Sequence, residues 1–156
     1  MITLTLPYPV SANRYWQTVY VGKGAQKRAI MVPTKEAKAY RDEVAWLAKV
    51  CGISTPLTGR LTLTVDLYPD RPKDWAKRAA KDPASWDDTV RCIDLGNCEK
   101  VLSDALNGVI WQDDRQLRRI VLERREPDLL GGRVVVTVAP YHQASMAPQL
   151  FDEAAA

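Results

Sequence analysis

Alternation of apolar and polar residues predicts four β-strands. Residues 2–6 alternate leucine or isoleucine with threonine before Pro7 stops the run, which is typical of a strand with one buried face. The same alternation is cleanest over 61–68. Two later apolar runs, at 117–125 and 134–138, predict the last two strands.

Apolar residues at three- and four-residue steps predict two main helices. The first follows Thr34, a residue suited to the N-cap, and is predicted to run to about Val50 and to be ended by Gly52. The second is predicted over 94–107 and is ended by Gly108. We therefore expect an α+β fold, a mixed sheet of about four strands with two main helices packed on it.

The remaining segments show little periodicity. Residues 11–24 are polar and aromatic and end in glycines, which predicts a mobile loop. Residues 70–91 are expected to be a surface insertion with one helical turn at about 75–80. We expect residues 1–140 to form one domain and 141–156 to be a flexible tail.

Composition narrows the class of protein. A chain of 156 residues with 46% apolar and 26% charged residues is long enough for one domain with a real core. No apolar run approaches the roughly 20 residues of a membrane span. The three cysteines form no CxxC pair and the first residues read as a strand, so we expect a reducing cytoplasmic location and no membrane association.

Positive charge is clustered, although the net charge is only +3. Between positions 14 and 41 there is one acid, Glu36, and there are seven basic residues: Arg14, Lys23, Lys27, Arg28, Lys35, Lys38 and Arg41. A second cluster of arginines lies at 115–125. Clustered cations suit a polyanionic partner such as nucleic acid. From charge alone, an ordinary solvent-exposed surface explains both clusters of basic residues equally well.

Acidic residues recur on and after the second predicted helix. On a helical wheel Asn97, Lys100 and Asp104 fall within about 60° of one another, opposite the apolar side. Asp94 stands at the helix start, and the pair Asp113-Asp114 follows in a predicted turn. These acids could be a helix cap, turn residues and a surface ion pair. They could also hold Mg²⁺ for phosphodiester cleavage, with a lysine neutralising charge on the phosphate.

The order of four motifs resembles that of the RusA-type Holliday junction resolvases. The motifs, covering roughly residues 2–138, are Ser11-Ala12-Asn13-Arg14-Tyr15, Ala39-Tyr40-Arg41-Asp42, Asp94-Leu95-Gly96-Asn97-Cys98-Glu99-Lys100 with Asp104-Ala105-Leu106, and Trp111 with Asp113-Asp114 and Gln116. The resemblance implies that Asp94, Asp113 and Asp114 bind the metal, with Asp94, Lys100 and Asp114 catalytic and Asn97 a polar partner that contacts DNA.

One position departs from the family pattern. Gly96 stands where the family typically has its second acid. Either another acid replaces it, with Asp104, Asp87 and Asp88 as candidates, or metal binding is weakened. A catalytically weakened junction-binding protein and a less selective Mg²⁺-dependent nuclease therefore remain alternatives.

The resemblance also implies partners and a cofactor. A homodimer would bind a four-way DNA junction and nick two strands symmetrically, since two sites on a two-fold axis suit a two-fold substrate. The expected metal is Mg²⁺, with Mn²⁺ as a substitute. Arg14, Lys23, Lys27 and Arg28 are the candidates for contacts to the DNA backbone.

Overall fold

A computed structural model describes residues 1–142 of the chain. The elements follow in the order β1 (Ile2–Pro7), α1 (Ala12–Tyr15), β2 (Trp16–Val21), β3 (Arg28–Pro33), α2 (Lys35–Val50), β4 (Leu61–Tyr68), α3 (Trp75–Lys81), α4 (Leu95–Leu106), β5 (Leu117–Arg124) and β6 (Arg133–Pro140). Short 3₁₀ turns lie at Gly24–Gln26 and Asp114–Gln116. The tail predicted at 141–156 lies outside the described residues from position 143 onward.

Four strands form a mixed sheet in the order β1-β6-β4-β5. β6 pairs antiparallel with both β1 and β4, whereas β4 and β5 run parallel. On β4, residues Leu61, Leu63, Val65 and Leu67 are buried while the residues between them are half-exposed. The alternation seen in the sequence thus corresponds to one face packed on a core, and the predicted α+β fold is confirmed.

The two long helices cover the buried face of the sheet. Thr34 caps α2, accepting a hydrogen bond from the backbone N–H of Ala37 at 3.2 Å. Tyr40 and Val44 lie on the buried side of α2, and the Tyr40 hydroxyl donates to the carbonyl oxygen of Pro7 at 3.2 Å. Both helices were predicted within one or two residues of their observed ends.

A two-stranded antiparallel hairpin, β2 with β3, replaces the predicted mobile loop. The loop prediction was wrong because both faces of this hairpin carry a mixture of apolar and polar side chains, which hides the period of two. Its tip contains Gly22 at φ +95°, where a Cβ would lie 2.5 Å from the backbone oxygen of Gln26. Only glycine fits such a turn without strain.

The insertion, residues 70–91, contains α3 at the place where one helical turn was predicted. It lies between β4 and the start of α4, so it borders the helix that carries the predicted acids. Turn hydrogen bonds such as Val90 N–H to the Asp87 carbonyl order its loops, and side-chain contacts tie it to the strand β5. No helix within residues 1–142 is both long and apolar enough to cross a bilayer.

Candidate functional site

The helix α4 positions most of the predicted site residues. Its apolar side is buried in the core through Cys98, Val101, Leu102, Ala105 and Leu106. The opposite side faces outward, which leaves Lys100 exposed and Asp104 half-buried. The sequence therefore fixes which way the polar residues point, because the buried apolar residues allow α4 only one orientation.

Asp94 occupies the N-cap position of α4 but makes no capping hydrogen bond with its side chain. The carboxylate is exposed and accepts one hydrogen bond, from the Asn97 side-chain amide to Asp94 Oδ2 at 3.3 Å. Within residues 1–142 no ion pair involves Asp94. A carboxylate that neither caps its helix nor pairs with a cation keeps its oxygens available to a ligand.

A cleft of about 730 Å³ opens beside Asp94. One wall comes from the segment after β1, the other from the insertion and the residues that follow it, and the start of α4 closes it. Its polar lining includes Asn13, Arg14, Arg78, Arg91, Asp94 and Asn97. Asp70 also lines the cleft but accepts a hydrogen bond from the Gly132 N–H at 2.6 Å, so that carboxylate has a structural partner.

Gly96 leaves room for a larger side chain in the first turn of α4. It is exposed, its φ is not in the left-handed region, and a Cβ built on it meets nothing within 4 Å. Lys100 lies one turn further along, about 40° around the axis from Gly96. The backbone at position 96 would therefore accept an acidic side chain, and the acid is missing only because the sequence has glycine there.

The other acids lie toward the C-terminal end of α4. The indole N–H of Trp111, which is fully buried, donates to Asp114 Oδ1 at 2.8 Å. Asp104 lies near this carboxylate: burial and, after it, the charge of Asp114 raise the pKa of Asp104, whereas Arg41 lowers it. Along the helix axis, Asp104 and Asp94 are about 15 Å apart at 1.5 Å per residue.

The turn that carries Asp113 and Asp114 is held by Gln116. Its side-chain oxygen accepts the N–H groups of Gln112 and Asp113 at 2.8 and 3.1 Å. Its amide nitrogen donates to the carbonyls of Leu57 and Gly59, at 2.9 and 3.0 Å. Asp113 itself accepts from the Arg115 N–H at 2.8 Å, so one of its oxygens serves the turn.

The side chains at this site that could bind a metal ion are carboxylates, present singly or in pairs. Among residues 1–142 no three Asp, Glu, His or Cys side chains lie close enough to share one ion. Within residues 1–142, oxygens without a hydrogen bond remain on all four acids of the predicted set: both on Asp104, and one each on Asp94, Asp113 and Asp114. Mg²⁺ commonly uses one or two carboxylates and retains several waters, so these residues fit that ion. Neither Asp87 nor Asp88 lines the cleft.

The predicted DNA-contacting cations lie in two places, the tip of the hairpin and the cleft. No acid occurs before Glu36, and Lys23, Lys27 and Arg28 are exposed near the tip of the hairpin. Lys27 Nζ lies 5.0 Å from the ring centroid of Tyr20, whose side chain is 67% exposed. Arg14 lies apart from them, at the cleft.

Comparison with known proteins identifies the family. The family model described as "Endodeoxyribonuclease RusA" matches residues 7–139. The chain belongs to the RusA endodeoxyribonuclease family. The match begins at the last residue of β1 and ends in β6, so it spans the cleft, both long helices, β4, β5 and nearly all of β6.

Individual relatives agree with the family match. Proteins named "Crossover junction endodeoxyribonuclease RusA" from Escherichia coli strain K12 and from E. coli O1:K1 are each 29% identical to this chain over 140 residues. The alignment covers 87% of this chain and 92% of each relative. This RusA-family chain is thus similar to the relatives over nearly their full length.

Sequence reasoning missed several residues of the site. Arg78 and Arg91 line the cleft, yet they lie in or at the end of a segment without periodicity, so no pattern placed them near Asp94. Gln116 and Trp111 were noted only as parts of the family motif. In the structure, Gln116 holds the turn that carries Asp113 and Asp114, and Trp111 orients the Asp114 carboxylate.

Proposed function

We propose that this RusA-family endodeoxyribonuclease resolves four-way DNA junctions by paired symmetric nicks, using Mg²⁺ or Mn²⁺. The observation that carries the proposal is the exposed Asp94 carboxylate, which has no ion pair within residues 1–142 and opens onto a cleft lined by arginines. Arginines attract a phosphate backbone, and a free carboxylate beside that backbone suits a hard cation.

Asp94 at the start of α4 and Asp114 beyond its end are the proposed principal metal-binding acids, with Asp113 next to Asp114 and Asp104 as a further candidate. Because Asp94 lies at the opposite end of α4 from the other acids, each group would hold an ion of its own with retained waters. When bound, the ion supplies an acidic water and stabilises charge on the phosphate oxygens. Asn97 holds one oxygen of Asp94 through its amide. The buried Trp111 indole fixes one oxygen of Asp114 and leaves the other free.

Lys100 is the proposed catalytic cation. It projects from the exposed side of α4, one turn beyond Gly96, and within residues 1–142 it makes no ion pair. An ammonium group in that position would offset negative charge that builds on the phosphate during cleavage. Asn97, close to Asp94, is also proposed to contact the DNA strand.

The hairpin is the proposed arm for the DNA backbone, acting through Lys23, Lys27 and Arg28. Its exposed Tyr20 offers a ring on which an unpaired base can stack, whereas Tyr15 is buried and belongs to the core.

We also propose that the active form is a homodimer, because a two-fold junction presents two equivalent strands for cleavage. Analytical ultracentrifugation tests this part.

Cleavage of a labelled synthetic four-way junction tests the proposal directly. The reaction is run with Mg²⁺ or Mn²⁺, with EDTA as one control and a matched linear duplex as another. We expect symmetric nicks in the junction alone, lost in EDTA and in Asp114→Asn. Asp42→Asn, an exposed acid on α2 outside the cleft, serves as the matched variant and should cleave like the unmodified protein.

The main competing function is junction binding with weak or no cleavage. Gly96 favours it, because the family's second acid is absent and no three acids gather within residues 1–142. Tight junction binding without nicks in either metal would establish this alternative. Equal cleavage of junction and duplex would instead indicate an unselective nuclease.

A further inference from the structure

The insertion is docked firmly on the body of the protein. The Trp86 indole N–H donates to Glu126 Oε1 at 2.8 Å, just beyond β5. Arg124, at the end of β5, donates to the carbonyl oxygens of Asp87 and Val90 at 2.6 and 3.1 Å. A long loop tied at three points behaves as a wall of the molecule and keeps its position relative to α4.

Contacts within the insertion fix the side chain of Arg78. Its Nε donates to Asp74 Oδ2 at 3.0 Å, and its Nη1 donates to Thr89 Oγ1 at 3.1 Å. The side chain lines the cleft and is 34% exposed, and its Nη2 makes no hydrogen bond to protein within residues 1–142. Trp75, the first residue of α3, packs near Trp86, with ring centroids 6.3 Å apart. The guanidinium of Arg78 is therefore held in place before any ligand arrives.

The size of the cleft limits what can enter. A volume of about 730 Å³ is that of a small-ligand site, for which roughly 300–1,000 Å³ is usual. This volume is too small to enclose a B-form duplex, whose major groove alone is about 12 Å wide, so a continuous duplex could lie only across the mouth of the cleft. Arg14 and Asn13 line one side of this space and Arg78 the other, so both walls present donors to the same ligand.

We infer that the insertion makes this cleft a groove for a single DNA strand, with Arg78 contacting a backbone phosphate across from Arg14. The inference rests on the proposed function and deepens it. A strand can enter the groove only where it leaves its duplex, as it does at a branch point. The insertion thereby gives the protein a physical means to keep continuous duplex away from Asp94.

A pair of matched variants separates a phosphate contact from a structural role. Arg78→Gln removes the cation, whereas Asp74→Asn breaks the same ion pair and leaves the cation in place. Binding of a short single-stranded oligonucleotide, a four-way junction and a linear duplex is measured in EDTA over a range of salt concentrations. Thermal unfolding of both variants shows whether each remains folded.

For Arg78→Gln we expect the slope of log K against log salt on the single strand to fall by about 0.7, which corresponds to about fivefold weaker binding at 0.1 M salt. Junction binding should weaken similarly, and duplex binding should change less than about twofold. Asp74→Asn, which keeps the cation and removes the neighbouring negative charge, should bind all three DNAs at least as tightly as the unmodified protein.

Equal slopes for the two variants, or equal weakening on duplex and single strand, would overturn the inference. Because the measurement uses EDTA, it does not depend on cleavage. Absence of nicks in the junction assay would defeat the proposed function and would leave the single-strand result standing.

Discussion

Along β5 and the loop that leads to β6, charged side chains pair with one another, whereas Arg14 and Asp94 at the cleft and Lys100 on α4 do not. Arg125 contacts Asp66 at 2.9 Å and Glu123 at 2.6 Å, and Arg133 contacts Asp128 at 2.6 Å. By contrast, within residues 1–142 no ion pair involves Arg14, Asp94 or Lys100.

This difference separates charges that serve the fold from charges that serve a ligand. Paired surface charges satisfy each other and contribute only about 0–1 kcal/mol each. Cations and a carboxylate held near one another without pairing remain able to bind a phosphate and a metal ion together. Changes on the paired side should therefore alter stability, and changes on the unpaired side should alter binding and cleavage.

The largest effect is expected from Asp94→Asn. Loss of an outer-shell partner of a metal ligand usually costs about 10–100-fold, so loss of the proposed ligand itself should slow junction cleavage by at least about 100-fold. Junction binding in EDTA should be unchanged or up to about twofold tighter, since the change removes a negative charge that repels phosphate. Glu123→Gln, from the paired side, should cleave normally. Retained cleavage in Asp94→Asn would remove the assigned role.

A smaller loss is expected when the hairpin cations are removed together. The triple variant Lys23→Gln, Lys27→Gln, Arg28→Gln should lower the salt slope of junction binding by about 2.7, at 0.9 for each phosphate contact. Arg125 already pairs with Asp66 and Glu123, so the control variant Arg125→Gln should leave the slope unchanged. Fluorescence anisotropy titrations over a salt series measure both. Identical slopes would mean that the hairpin does not reach the DNA backbone.

Gly96→Asp should strengthen metal binding, because the affinity of a site for a cation increases with the number of its negatively charged ligands. The open space at this position admits the side chain without a clash. We expect the Mg²⁺ concentration for half-maximal cleavage to fall by about tenfold. Gly96→Ala controls for the helix: it should raise the melting temperature by a few degrees, at about 1 kcal/mol, with no change in metal requirement. If the two variants behave alike, the missing acid is not a metal ligand here.

The smallest effect is expected on the paired side, from Asp128→Asn. Hydrogen bonds from Arg133 lower the pKa of Asp128 from 3.8 to about 2. Because the folded-state pKa is depressed, this carboxylate stabilises the fold above pH 4 and loses that effect as the pH falls toward 2. The variant should melt slightly lower than the unmodified protein at pH 7, and the two melting temperatures should converge as the pH falls toward 2. Cleavage at pH 7 should not change.

The sequence predicted the elements whose pattern reflects a single buried face. β4 and α4 each pack one side on the core, so apolar residues recur with periods of 2 and 3.6 and mark both their type and their orientation. The position of Asp94 followed directly, because it immediately precedes the first turn of α4. Thr34 identified the start of α2 by the same local logic, since a cap needs only the next three residues.

The hairpin and the cleft depend on contacts that no local pattern records. Thr18 and Met31 share one face of the hairpin and Val19 and Ile30 share the other, so both faces contain apolar residues and neither alternates with polar ones. The insertion reaches its position through Arg124, some 34–37 residues away in the chain from the carbonyls that it binds. Long-range side-chain contacts of this kind are visible only in three dimensions.

The place of β6 in the sheet also bears on how the protein is made. β6 comes last among the described strands, yet it lies between β1 and β4, with Thr137 paired to Thr3. A chain still emerging from the ribosome cannot join β1 to the rest of the sheet until residues 133–140 are free. Such long-range pairing slows folding. Assembly of the cleft therefore awaits nearly the whole described chain, and unfinished translation products should lack nuclease activity.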